Sequence, residues 1–139
     1  MTPTRGRPPV VWILLACDRV ERQTAFQAIL EGAGFGVEFT DNGEPTVQRA
    51  KEQHYDLILL DLQSQITEGL RAAAAIREIE GKRGQLETPI MAILGRSVSG
   101  SEQYCLALGM NLVLHTPVPT VRFVRQIKEL VSMREHSAA

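Results

Sequence analysis

A chain of 139 residues, 44% hydrophobic and 22% charged, is the size of one domain with a core of its own, and its composition excludes a disordered or fibrous protein. A formal net charge of -1 without a long basic run leaves no electrostatic footprint for nucleic acid. The longest apolar stretch, residues 10–17, is far too short to span a bilayer.

Residues 1–9 are rich in Pro, Thr and Arg, lack an apolar period, and read as a flexible arm or linker. Residues 10–17 form a continuous apolar strand. Arg5 and Arg7 ahead of it raise the idea of a secretory signal, but it leads directly into an amphipathic helix, as a first core strand does. That helix, 20–31, places Ala25, Phe26, Ile29 and Leu30 on one face and stops at Gly32-Ala33-Gly34. A short strand, 37–40, closes in the turn Asp41-Asn42-Gly43, and Pro45 suits the first turn of a helix running to about Gln53. Residues 56–61 are the central strand.

The next helix, 69–79, carries Leu70, Ala73, Ala74, Ile76 and Ile79 at helical spacing, and the polar segment 80–87 reads as a loop. Pro89 opens an apolar strand, 90–94. Ser97, Ser99 and Ser101 offer N-caps for a helix through Leu108 that ends at Gly109. Residues 112–114 are a last strand. After Pro117 and Pro119, a stripe of Val121, Val124, Ile127, Leu130 and Val131 marks a final helix. Five apolar strands alternating with five helices predict an α/β fold, a doubly wound parallel sheet with helices on both faces.

Asp61 is the most informative residue of the chain. It ends the run Leu57-Ile58-Leu59-Leu60, and Gly69 follows eight positions later. A strand so apolar is buried on both faces, so its last residue emerges at the carboxyl edge of the sheet, where ligands and chemistry sit in open α/β folds. A lone carboxylate there is a candidate acceptor or metal ligand. Other candidates are weaker. Cys17 and Cys105 form no CxxC pair and read as buried thiols in a reducing compartment. Cys17 has no His nearby in sequence to activate it. Gly32, Gly34 and Gly36 lie between a helix and a strand, the reverse of a dinucleotide loop. His54, His115 and His136 have no metal-ligand spacing, and Arg122, Arg125 and Lys128 read as the solvated face of the last helix.

The order of elements and several local strings resemble the receiver domain of two-component signalling, a flavodoxin-like fold. Asp56-Leu57-Ile58-Leu59-Leu60-Asp61-Leu62-Gln63 looks like the strand ending in that family's phospho-acceptor aspartate, with Gly69-Leu70 at the family's spacing. Thr88-Pro89-Ile90-Met91-Ala92-Ile93 resembles the fourth strand. Cys105-Leu106-Ala107-Leu108-Gly109-Met110-Asn111 resembles the helix-to-strand stretch of receivers fused to hybrid histidine kinases, and the long 80–87 loop points the same way.

The resemblance implies that Asp61 is the phospho-acceptor position, and that Asp18, Asp61 and the main-chain carbonyl of Gln63 are the ligands of a Mg²⁺ ion. Several positions depart from the family. One member of the acidic pair after the first strand is Cys17, whose soft sulfur suits Mg²⁺ poorly. Leu94 stands where the family has a hydroxyl, Val113 where it has an aromatic switch, and Ser64-Gln65 where Met-Pro is usual. Thr116 replaces a lysine ahead of Pro117, whose peptide bond the resemblance implies to be cis; losing that charge-assisted contact to a phosphoryl group forfeits about 1.5–3 kcal/mol.

These departures lead to the expectation of a pseudo-receiver: a cytoplasmic, non-enzymatic signalling module that works by protein contact, with Mg²⁺ weakly bound or absent. Its expected partners, on the fourth-helix, fifth-strand and fifth-helix face (101–108, 111–114 and 120–133), are a histidine kinase, another signalling domain or a second copy. No nucleic-acid or membrane contact is expected. Expected boundaries are an arm at 1–9, the domain at 10–133 and a flexible tail at 134–139, one module of a longer chain such as a hybrid kinase. The alternative retains the phosphorelay, with Asp61 accepting phosphate from a phosphohistidine with Mg²⁺. A small flavodoxin-like enzyme using Cys17 or Asp61 is the remote third reading, since no base, cofactor loop or substrate pocket accompanies either residue.

Overall fold

The computed structural model describes residues 11–64, 66–96 and 101–138, with side chains through residue 133. Strands β1 (Trp12–Ala16), β2 (Gly36–Thr40), β3 (Leu57–Asp61), β4 (Ile90–Leu94) and β5 (Leu112–His115) alternate with helices α1 (Val20–Gly32), α2 (Glu44–Glu52), α3 (Ile66–Arg83), α4 (Ser101–Ala107) and α5 (Thr120–Ala138). The strands form one parallel sheet in the order β2-β1-β3-β4-β5. The chain therefore winds outward in both directions from β1 and β3. Their carboxyl ends flank the switch point where a doubly wound sheet opens a crevice.

Every residue of β3 and β4 is buried, as their unbroken apolar runs require of strands covered on both faces. Side-chain alternation splits the core in two. Leu14, Ala16, Ile58, Leu60, Ala92 and Leu94 face one helical layer, while Ile13, Leu15, Leu57, Leu59, Met91 and Ile93 face the other. On the second face Phe26 of α1 and Phe123 of α5 meet with ring centroids 5.8 Å apart.

The helices differ from their sequence reading at specific points. α3 begins at Ile66, three residues before Gly69, and continues to Arg83, so it takes in the first part of the expected 80–87 loop. Glu80, Lys82 and Arg83 favour helix, and Gly84 ends it at φ +65°. Ala72, not Ala74, joins the core on α3. Ala25 is exposed on α1. Val121 is 75% exposed and Phe123 takes its place on the buried stripe of α5. β2 starts one residue earlier than expected, at Gly36, and β5 one residue later closes, at His115. α5 continues through Ala138, past the expected domain end at Met133, for no Gly or Pro intervenes to stop it. The Thr116-Pro117 peptide is cis. The arm at 1–9, Gln65, and the caps Ser97 and Ser99 fall outside the described residues; Ser101 is the first residue of α4.

Candidate functional site

Asp61 stands at the carboxyl end of β3, between β1 and β4, with no solvent exposure. A buried carboxylate is stable only when its oxygens are satisfied, and here both are. Oδ1 accepts from the Gln63 amide N–H at 3.2 Å and from Gln63 Nε2 at 2.9 Å. Oδ2 accepts from the Cys17 thiol at 3.1 Å and from Arg22 Nε at 2.5 Å. The Asp61 carbonyl takes a further bond from Asn42 Nδ2 at 3.1 Å, tying the β2–α2 turn to the strand end. Gly69 lets α3 lie against this edge: a Cβ there would sit 1.9 Å from Leu62 Cδ2.

Arg22 was not among the residues singled out from sequence, and it is the centre of the arrangement. It lies on the first turns of α1, four residues after Asp18. Its Nη2 is 3.7 Å from Asp18 Oδ1 and donates to Ser64 Oγ at 2.6 Å. One guanidinium thus joins α1, the end of β3 and the β3–α3 loop. Burial disfavours its charge, but the Asp61 hydrogen bond and charge outweigh that and raise its pKa. Asp18 precedes the Arg19 N-cap of α1, so its spacing of four from Arg22 is no helical-face signal, and the pair meets only because the β1–α1 turn brings Asp18 back beside the first turn of the helix.

The Cys17 thiol donates to Asp61 and to the Arg19 carbonyl at 3.4 Å. Burial first, then the adjacent Asp61, pushes its pKa up to about 11, so at neutral pH it is a proton donor and neither a nucleophile nor an anionic ligand. Asp18 is partly exposed at the mouth of the crevice. Leu94 is fully buried within the first core cluster, and its carbonyl accepts the Thr116 amide at 3.0 Å. Thr116 reaches towards the site: its hydroxyl is 3.4 Å from both Gln63 Oε1 and the Leu94 carbonyl. Val113 is packed in the same apolar cluster as Leu94.

The structure therefore brings Asp18, Asp61, Gln63, Cys17 and Thr116 to one crevice and places Leu94 and Val113 in the core beneath it. Mg²⁺ calls for a near-octahedral set of free oxygens. Among the described residues no three His, Cys, Asp or Glu side chains gather to hold a metal ion. Both Asp61 oxygens already accept protein donors, and a guanidinium bridges the two carboxylates. Arranged so, both Asp61 oxygens and the Asp18 carboxylate are engaged by protein groups. The other titratable groups considered from sequence lie elsewhere: His115 sits 3.1 Å from Glu102, and His54 3.6 Å from Asp56.

Comparison with known proteins places this geometry. The family profile of the response regulator receiver domain matches residues 13–128. Hybrid signal transduction histidine kinase B of Dictyostelium discoideum is 34% identical over 117 residues, which cover 78% of this chain and 6% of the kinase. The histidine-protein kinase BarA of Escherichia coli K12 is 34% identical over 95 residues, 68% of this chain and 10% of that protein. The chain thus spans about a tenth or less of these relatives' length. Among solved structures, the receiver domain of a sensor histidine kinase from Pseudomonas aeruginosa, crystallised with magnesium coordinated in its active-site cleft, superposes with a TM-score of 0.76 at 30% identity, covering 88% of this chain and 98% of that one. The receiver domain of Ssk1 from Saccharomyces cerevisiae, solved with the histidine phosphotransfer protein Ypd1, gives a TM-score of 0.81 at 26% identity, covering 91% and 92%. Receivers are signalling modules and not enzymes, which removes the small flavodoxin-like enzyme from consideration. Among the described residues no helix is long and apolar enough to cross a membrane. The chain belongs to the response regulator receiver domain family of two-component signalling.

Proposed function

We propose that this receiver domain is a pseudo-receiver, a module that transmits signals by protein contact with little or no phosphorylation at Asp61. The supporting observation is the occupancy of the acceptor carboxylate. Its nucleophilic oxygens each accept protein donors, and the strongest of these is the Arg22 guanidinium at 2.5 Å. An attacking carboxylate would have to shed that charge-assisted bond before reaching a phosphorus atom. Once formed, a phosphoryl group carries about two negative charges. The positions that would hold it offer the neutral hydroxyl of Thr116 and the buried side chain of Leu94. Magnesium binding is correspondingly weak or absent in this reading.

The partner surface proposed is the face formed by α4, β5 and α5. Tyr104 and Leu106 on α4 are 69% and 46% exposed there, large apolar groups suited to contact. The relatives suggest a histidine kinase or another signalling domain as the occupant, within a longer hybrid protein.

The test is treatment with a small acyl phosphate and Mg²⁺, followed by intact mass, and with beryllofluoride and Mg²⁺, followed by amide NMR shifts. The expected result is no added phosphoryl mass and unmoved amides around Asp61. A phosphoryl adduct that disappears in Asp61→Asn would overturn this reading in favour of the Mg²⁺-dependent phospho-acceptor.

A further inference from the structure

The geometry points to Arg22 as the resident cation of this site, filling the place between Asp18 and Asp61 so that a divalent ion enters only when the guanidinium is removed. The inference rests on the pseudo-receiver reading and deepens it by naming the residue that keeps metal out.

Charge and geometry carry the argument. Three acidic positions facing one another need a divalent ion to offset their repulsion. Cys17 takes one of those places with a thiol that donates to Asp61 at 3.1 Å, which leaves two carboxylates, Asp18 and Asp61. One guanidinium then leaves the group with a single net negative charge, a balance that needs no ion. The planar fork suits the task in a way an ammonium would not, because three of its contacts diverge: Nε to Asp61, Nη2 to Ser64 and, more distantly, to Asp18. Arg22 is anchored on a 13-residue helix whose preceding strand is fully buried from Ile13 to Ala16. The cation is therefore covalently present at a fixed position, at an effective concentration that free Mg²⁺ has to exceed. Arg22 also holds Ser64, three residues past Asp61, by a 2.6 Å hydrogen bond from Nη2 to its hydroxyl.

The experiment titrates Mg²⁺ into the full chain and into Arg22→Ala, with calorimetry and amide NMR as readouts. Arg22→Ala is expected to bind Mg²⁺ at least about tenfold tighter than the unaltered chain. Its thermal midpoint is expected to fall in chelator, where Asp61 lacks its counterion, and to rise on adding Mg²⁺, a rise the unaltered chain does not share. Arg22→Lys, which keeps a cation but cannot span Asp61 and Ser64 together, is expected to lie between the two. Equal Mg²⁺ affinity in the unaltered chain and Arg22→Ala overturns the inference. So does an Arg22→Ala protein whose lost stability Mg²⁺ leaves unrestored. Labelling of Asp61 in the unaltered chain would sink the pseudo-receiver reading alone, and the ordering of Mg²⁺ affinities would still decide the role of Arg22.

Discussion

Exchanging a carboxylate for Cys17 changes the proton chemistry around Asp61 as well as its metal chemistry. In the folded state burial and the neighbouring carboxylate hold the thiol protonated up to about pH 11, against 9.0 for an unhindered thiol. The folded state therefore binds this proton more tightly than the unfolded state. Between about pH 9 and 11 the unfolded chain releases it and the folded chain does not, so folding stability falls as pH rises through that window. Two pH units correspond to about 3 kcal/mol at most. Chemical denaturation across this range, compared with Cys17→Ala, is expected to show a shallower alkaline loss in the variant, the remainder belonging to Cys105 and Tyr55, which burial also shifts upward. A thiolate absorbance that appears in the native protein near pH 8.5 and vanishes in Cys17→Ala would contradict the assignment. At this scale sequence was informative where chemistry shows in the residue type. Asp61 at the end of an apolar run, with Asp18 and Cys17 after another, needs only strand position to be found. Arg22 did not declare itself, because its role depends on a long side chain leaning back along α1 towards the helix N-terminus and on where β3 happens to end.

Helix α3 shows why element boundaries were harder to read than element identities. Its last turns look polar in sequence, yet Glu80 is only 6% exposed. One of its oxygens accepts from Arg77 Nη1 at 2.7 Å, and the other takes the Thr88 amide at 2.8 Å. Arg77 in turn donates to the Gly109 carbonyl at 3.0 Å and to Asn111 Oδ1 at 3.0 Å, and Asn111 Oδ1 also accepts the Ile90 amide at 2.8 Å. These two side chains clamp α3 to the start of β4 and to the α4–β5 turn. They convert what periodicity marks as a loop into the buried end of a helix. Gly109 fits the same contact, since a Cβ there would lie 2.9 Å from Arg77 Cγ. The strands were legible because burial on both faces demands an unbroken apolar run. The helix end was not, because its burial is satisfied by charge, and only the partners 32 and 34 residues away explain it. Arg77→Met is expected to destabilise the domain by about 3–5 kcal/mol, as removing one member of a buried ion pair does. Equilibrium urea unfolding measures this. A loss under about 1 kcal/mol would show the clamp to be no more than a surface pair.

Across the whole molecule, the two core clusters are two faces of the same three central strands. In β3, Leu59 points into the cluster beneath α1 and α5, while its neighbour Leu60 points into the cluster beneath α2 and α3. β1 and β4 divide their side chains the same way, so neither helical layer can leave without exposing a strand that the other layer also covers. That coupling surrounds Asp61, which ends β3 between the two layers. It also makes a definite statement about unfolding. Trp12, the only tryptophan, lies at the start of β1 and packs against the first cluster, whereas far-UV circular dichroism averages over helices of both layers. A chain of this size with one shared sheet is expected to unfold in a single transition, with both probes giving one midpoint. Leu59→Ala and Leu60→Ala each remove a fully buried side chain, at a cost of about 2–5 kcal/mol. Each is expected to shift the midpoint of both probes equally and to leave the urea slope unchanged. Were Leu59→Ala to melt the α1 and α5 layer while Trp12 fluorescence stayed native, the two faces would be separate units.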